Sequence, residues 1–120
     1  MSVSINGTFF PLRLSLRRKE PVELKVEIVN RGNNSKMLTV GVTVARSLSL
    51  DKGGLKNNAT ERVEALLPGE KRTFYFNIFA RSQFADSGEF PVGISVKEYG
   101  RNYSEIIEEY EKQMGLKVES

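Results

Sequence analysis

The sequence predicts an all-β protein built as an antiparallel sandwich, and three observations carry that expectation. Apolar residues at Val22, Leu24, Val26 and Ile28 alternate with Glu23, Lys25 and Glu27, the two-residue period of a strand with one buried face. The same period returns in later segments, with Gly, Pro, Asn and Asp clustered between them. Leu67-Pro68-Gly69-Glu70 sets a proline where φ is held at about −65° and a glycine where φ must be positive, the pattern of a type II turn.

The elements follow in order. Leu12, Leu14 and Leu16 alternate with Arg13, Ser15 and Arg17, and Pro11 suits the first position of that strand. Arg18-Lys19-Glu20-Pro21 turns the chain into the 22–30 strand, which Asn30-Arg31-Gly32 ends with turn-tolerant residues. Leu38, Val40, Val42 and Val44 make a third strand. Its other face carries only Thr39, Gly41, Thr43 and Ala45, so close packing is open to it. Ser47–Ala59, with Gly53-Gly54 and Asn57-Asn58, reads as a long loop, and a short strand resumes over 60–66. Arg72–Phe79 sets Phe74, Phe76 and Ile78 on one face, with Tyr75 and Phe79 on the other. Such an uncharged aromatic run aggregates when left at an edge, so it is expected to be central and covered. After a turn at Asp86-Ser87-Gly88 comes a strand of Phe90, Val92, Ile94 and Val96.

The period then changes. Tyr103, Ile106, Ile107, Tyr110 and Met114 fall at helical spacing, and Asn102 or Ser104 stands where a cap belongs. Glu105 suits the first turn, Glu108 and Lys112 an i,i+4 pair, and Gly115 the end. A helix over about 103–114 is expected to cover Tyr75 and Phe79, before a last strand at 116–118. Residues 1–120 read as a single domain with no internal repeat.

Composition removes several kinds of chemistry. The chain has no Cys and no His, which takes away the usual zinc, copper and iron ligands, the commonest general base and the best nucleophile. No Gly-x-Ser-x-Gly arrangement is present. The expectation is a protein that is not an enzyme and needs no cofactor. No run approaches the roughly 20 apolar residues of a membrane helix, so no membrane insertion is expected. The amino terminus lacks the basic and apolar regions of a secretion signal. That predicts the cytoplasm, or the cell surface if the chain is a piece of a longer exported protein. Net charge is only +3, yet residues 1–58 hold ten Lys/Arg and four Asp/Glu while residues 59–120 hold eight and eleven. A basic half and an acidic half can pair within one sandwich or attract a neighbouring copy.

Three stretches together carry a family likeness: Val22–Gly32 ending in Asn30-Arg31-Gly32, Leu67-Pro68-Gly69-Glu70 before an aromatic strand, and Gly88-Glu89-Phe90-Pro91-Val92. On these the chain resembles, over roughly residues 9–99, the immunoglobulin-like domains of CARDB type, cell-adhesion-related modules of archaeal and bacterial surface proteins. The resemblance implies an immunoglobulin-like antiparallel β-sandwich of about seven strands and a role in adhesion or domain spacing. It brings over no catalytic or ligand residue. The expected helix near the carboxyl end departs from the family's closing hairpin.

Four Asn-x-Ser/Thr acceptors, at Asn6, Asn33, Asn58 and Asn102, fall in expected turns or loops, where glycosylation has access. Arg13, Arg17, Arg18 and Lys19 could meet phosphate, but nucleic-acid binders add aromatic platforms and more charge; Phe9 and Phe10 nearby read as core. A charged face that blunts an edge strand ranks above nucleic-acid binding. Glu105, Glu108, Glu109 and Glu111 cluster on the expected helix, where Glu105 and Glu109 would share a face; a solvated face outranks a weak cation site there. Asp86 with Glu89 likewise reads as a turn rather than a calcium pair. The chain is therefore read as a non-catalytic interaction, adhesion or spacer module that binds another protein or a neighbouring domain. Its candidate contacts are Asp51, Lys52, Leu55 and Lys56 in the long loop and Glu105 and Glu109 on the helix. A carbohydrate-binding accessory module is the alternative, and a small cytoplasmic nucleic-acid binder a third.

Overall fold

The computed structural model describes residues 2–81 and 87–120, and among them the chain forms nine strands and no helix. In chain order these are β1 (Val3–Phe10), β2 (Arg13–Ser15), β3 (Val22–Asn30), β4 (Lys36–Val44), β5 (Leu48–Ser49), β6 (Asn58–Leu66), β7 (Lys71–Ala80), β8 (Gly88–Tyr99) and β9 (Ile106–Glu119). One sheet has the order β1-β3-β7-β5 and the other β2-β9-β8-β4-β6. Neighbours are antiparallel except β2, which runs parallel to the end of β9 with Leu14 opposite Val118.

The alternation in β3 does what its sequence predicts: Val22, Leu24, Val26 and Ile28 are fully buried. They face Leu38, Val40, Val42 and Val44 of β4 and Val92, Ile94 and Val96 of β8 across the sandwich core. In β6 the buried residues are Val63 and Leu66, three apart. Leu38 pairs with Val63 while Lys36 pairs with Leu66, and this bulge resets the face. The type II turn is present, with Gly69 at φ 80° and the Glu70 N–H donating to the Leu67 carbonyl at 2.9 Å.

Asn30 is a polar residue at 0% exposure, and every polar group of its side chain is used. Its amide nitrogen donates to the carbonyls of Asn34 and Leu66, both at 2.8 Å, and its oxygen accepts the Gly32 N–H at 2.9 Å. Its backbone carbonyl accepts from Gly69 at 2.7 Å. One side chain thus ties the β3–β4 turn to the β6–β7 turn.

Several expectations need correcting. The helix over 103–114 is absent: residues 103–105 belong to the hairpin turn and 106–114 are the first two-thirds of β9, in a long hairpin with β8. Tyr110 and Met114 stand four apart, which shares a face in a helix and in a strand alike, and Leu116 and Val118 continue the two-residue period. The supposed cap belongs to the hairpin turn: Asn102 Oδ1 accepts the Ser104 N–H at 2.9 Å, and Gly100 donates to the Glu105 carbonyl at 2.8 Å. Nine strands replace about seven because β1 and the two-residue β5 were not expected. Phe9 is core as expected, but Phe10 is 78% exposed, since adjacent strand residues point to opposite faces. β7 is not central along its length: β3 pairs with Lys71–Ile78, and only β5 meets its other side, at Phe79–Ala80. With no helix above it, Tyr75 is exposed and Phe79 half-buried. The turn expected to begin at Asp86 lies partly outside the described residues.

The strands run lengthwise, giving the molecule a long dimension of 47 Å and two poles. At one pole lie the ends of β1, β4, β7 and β9; at the other lie their starts, beside the end of β3 and the turns at 67–70 and 100–105.

Candidate interaction surfaces

The expected Ser47–Ala59 loop is partly core, because Leu48 and Ser49 form β5 and are buried. The projecting part spans 50–57 and is fastened by one carboxylate. Asp51 Oδ1 accepts the Leu55 N–H at 2.8 Å and the Lys56 N–H at 2.7 Å, and Leu50 donates to the Lys56 carbonyl at 2.7 Å. The Lys56 amide, and less strongly that of Leu55, holds the Asp51 carboxyl below its ordinary value. Gly54 takes the bend at φ 76°. Leu55 is left 85% exposed at the tip of this braced loop. Lys52 lies apart, lining a cleft with Leu16 and Phe79. Ser49-Leu50-Asp51-Lys52 has the Ser-x-x-Lys spacing of some hydrolases, but the buried Ser49 hydroxyl donates to the Asp51 carbonyl at 2.7 Å. It has no access to a substrate.

The same pole carries a cleft of about 630 Å³ lined by Phe10, Leu12, Arg13, Arg17, Arg18 and Glu20. Phe10 and Leu12 are 78% and 76% exposed. Arg13 reaches Glu119 at 3.3 Å, whereas Arg17, Arg18 and Lys19 make no side-chain ion pair among the described residues. β2 is only three residues long, so Arg17 lies in the turn and not on a strand face.

The opposite pole is the tip of the β8–β9 hairpin. Glu105 Oε1 accepts the Arg101 N–H at 3.1 Å and closes the turn. Beyond it Glu98 pairs with Glu108 but Tyr99 pairs with Ile106, so Ile107 is an extra residue. This bulge breaks the alternation and leaves Ile106 and Ile107 about half-exposed together. The base of the tip is firm: Lys36 and Glu98 form an ion pair at 3.0 Å with both side chains nearly buried, and Arg62 lies 4.4 Å from the centre of the Tyr103 ring. Glu105 and Glu109 do not share a face, because Glu105 lies in the turn ahead of β9 and the bulge at Ile107 shifts the alternation between them. Glu109 and Glu111 instead line a shallow groove of about 490 Å³ with Thr39, Asn58, Lys97 and Tyr99. Loop and hairpin contacts therefore stand at opposite poles.

All four glycosylation acceptors are exposed, but only Asn33 and Asn102 lie in turns; Asn6 sits within β1 and Asn58 opens β6. Asn6 was misplaced because Gly7 masks the run Val3, Ile5, Phe9. Gly7 faces inward, where an added Cβ would come within 2.5 Å of Met114 Sδ. Among the described residues no group of three or more Asp or Glu is placed to hold a metal ion.

No protein-family model and no curated protein matches the chain. Solved structures do. A domain of trypsin-activated alpha-2-macroglobulin from Escherichia coli superposes with a TM-score of 0.73 at 18% identity, over 98% of this chain and 7% of that one. The fold is immunoglobulin-like. A FixG-related protein from Vibrio parahaemolyticus matches over 100% of this chain and 99% of its own, with a TM-score of 0.64 at 13% identity. The CARDB domain of a Pyrococcus furiosus protein, solved in complex with di-metal ions, matches with a TM-score of 0.57 at 19% identity, over 98% and 85% of the two chains. These likenesses are of fold, and the chain spans only a small part of the macroglobulin.

Proposed function

We propose that the chain is a CARDB-type immunoglobulin-like module that acts by contact, joining or spacing proteins rather than transforming a substrate. The observation that carries this reading is the loop 50–57, where Asp51 fixes the backbone and Leu55 is held in water at 85% exposure. An exposed large apolar side chain on a braced loop is a preorganised anchor, because little ordering entropy remains to be lost on binding. In-line geometry supports it too: Ser2 lies beside Arg31 and Tyr110 at one pole, and Glu119 leaves β9 at the other. The test is a photo-crosslinking residue placed at position 55 and, as a control, at exposed Glu64. A protein captured from native cells at 55 and not at 64 supports the reading, and equal labelling at both sites refutes it.

The groove on the outer face of the five-stranded sheet favours a second reading, carbohydrate binding. Its wall offers Thr39, Thr43, Asn58, Thr60, Lys97 and Glu111 as hydrogen-bonding groups beside the Tyr99 ring. A glycan array separates the two: retention lost on Lys97→Ala would move the assignment to sugar, and no retention removes it.

A further inference from the structure

One run of residues at each pole complements the other in charge and apolar content, although Arg101 in the hairpin turn and Lys97 opposite Glu109 offset part of the acidic run. Residues 10–19 carry four cations and no carboxylate, while residues 104–111 carry four carboxylates and no cation. The register places these runs far apart, since Leu14 pairs with Val118 and Ile106 stands twelve residues earlier on the same strand. At about 3.4 Å per residue that separation is about 40 Å, most of the 47 Å length. Each pole also exposes a pair of large apolar residues beside its charges. Phe10 and Leu12 open the basic cleft, and Ile106 and Ile107 stand out on the acidic tip because of the bulge.

We propose that the acidic hairpin tip of one copy docks into the basic cleft of the next, so that the chain associates head to tail with itself. Ile106 and Ile107 would enter the cleft beside Phe10 and Leu12. Glu108 and Glu109 would meet Arg17 and Arg18, which make no side-chain ion pair among the described residues. Glu105 is occupied by the turn and Arg13 by Glu119, so neither carries the contact. Glu20 also lines the cleft and leaves the rim less basic than the run alone suggests. A second copy is the occupant because both complementary surfaces belong to this one sequence, at opposite ends, where neither can satisfy the other within a molecule. Such a contact is heterologous: with tip and cleft at opposite ends of a 47 Å molecule, each addition leaves one tip and one cleft free, and the chain stays open wherever the rotation between copies does not bring its ends together. Both patches are small, which places the affinity in the weak range, and exposed charges make it salt-sensitive.

Sedimentation equilibrium on the full chain from about 0.02 to about 1 mM tests this, in about 25 mM and about 500 mM salt. The expected result is a weight-average mass that rises from 13.5 kDa with concentration, passes twice that value without a plateau, and falls back in high salt. Arg17→Glu/Arg18→Glu and Glu108→Lys/Glu109→Lys should each be monomeric alone, with unchanged circular dichroism, because both sets lie at the surface. An equimolar mixture should regain the association, since each reversed pole then finds an opposite one. A wild-type chain that stays at 13.5 kDa, a plateau at twice that mass, or a folded mixture that fails to associate would each overturn the proposal. The proposal rests on the contact reading but uses other residues than Leu55. A monomeric chain that still crosslinks at position 55 would remove self-association alone.

Discussion

Replacing Asn30 by Ala removes three side-chain hydrogen bonds at once, a buried one to Leu66 and part-buried ones to Asn34 and Gly32. Each is worth about 1 kcal/mol net, and the Leu66 carbonyl is left in a buried site without its partner. The summed cost is about 3 kcal/mol, a large share of the stability of a domain this size. In urea, with a slope of about 2 kcal/mol per molar, the unfolding midpoint should fall by about 1.5 M with the slope unchanged. Asn33→Ala, three residues past Asn30 and exposed, should change the stability by less than about 0.5 kcal/mol. Asn30→Asp should be no better than Ala, because a carboxylate cannot donate to the two carbonyls that the amide serves. A loss below about 1 kcal/mol for Asn30→Ala would refute the view that this one residue couples the two turns.

Other expectations are as direct. The Asp51 carboxyl is depressed by its backbone donors, so its contribution to loop order is complete above the ordinary value of 3.8 and is lost as pH falls through the lower folded value. The amide resonances of Leu55 and Lys56 should therefore titrate with a midpoint below 3.8; a midpoint at or above it would contradict the bracing role. Gly69→Ala should cost about 1 kcal/mol, since φ is 80° and nothing stands within 4 Å of an added Cβ. Steric relief would not change that cost, whereas Gly69→Asn should recover part of it in thermal melts. Lys36→Ala should destabilise by about 2–3 kcal/mol because it strands Glu98 in a nearly buried site, and Lys36→Ala/Glu98→Ala should lose less than the sum of the single changes.

Most of the sandwich is legible in the sequence because its strands bury one face and wet the other. In β3, β4, β7 and β8 the alternation identifies the element and its inner face together. β9 was misread because Ile106, Ile107, Tyr110 and Met114 satisfy a helical spacing only through the bulge at Ile107, an insertion that a one-dimensional pattern cannot distinguish from a change of period. Asn102 and Ser104 deepened the error, as the same side-chain acceptors cap helices and close turns. One signal pointed the other way. Met114, Leu116 and Val118 step by two, with Tyr110 in phase and only Lys112 out of the pattern, so a strand explains the segment from 110 onward where a helix explains only its first part.

The candidate surfaces were legible as residues but not as places. Leu55 and Asp51 stood out within a Gly- and Asn-rich stretch, yet the bracing of the loop depends on a carboxylate folding back on amides four and five residues later. Phe10 was assigned to the core by its hydrophobicity, and only the pairing of β1 with β3, Phe9 opposite Leu24 and Phe10 opposite Glu23, decides which of the two aromatics faces inward. The charge asymmetry between the halves of the chain was visible from composition, and composition alone allows it to be neutralised inside the fold. Register removes that option for its extremes: the parallel pairing of β2 with the end of β9 fixes Arg17 and Arg18 at one pole, while the hairpin carries Glu108 and Glu109 to the other. Charges of opposite sign held about 40 Å apart interact negligibly across several Debye lengths of salt, so the two runs cannot neutralise each other within one molecule, and Lys97 opposite Glu109 and Glu20 beside Arg17 and Arg18 offset them only in part.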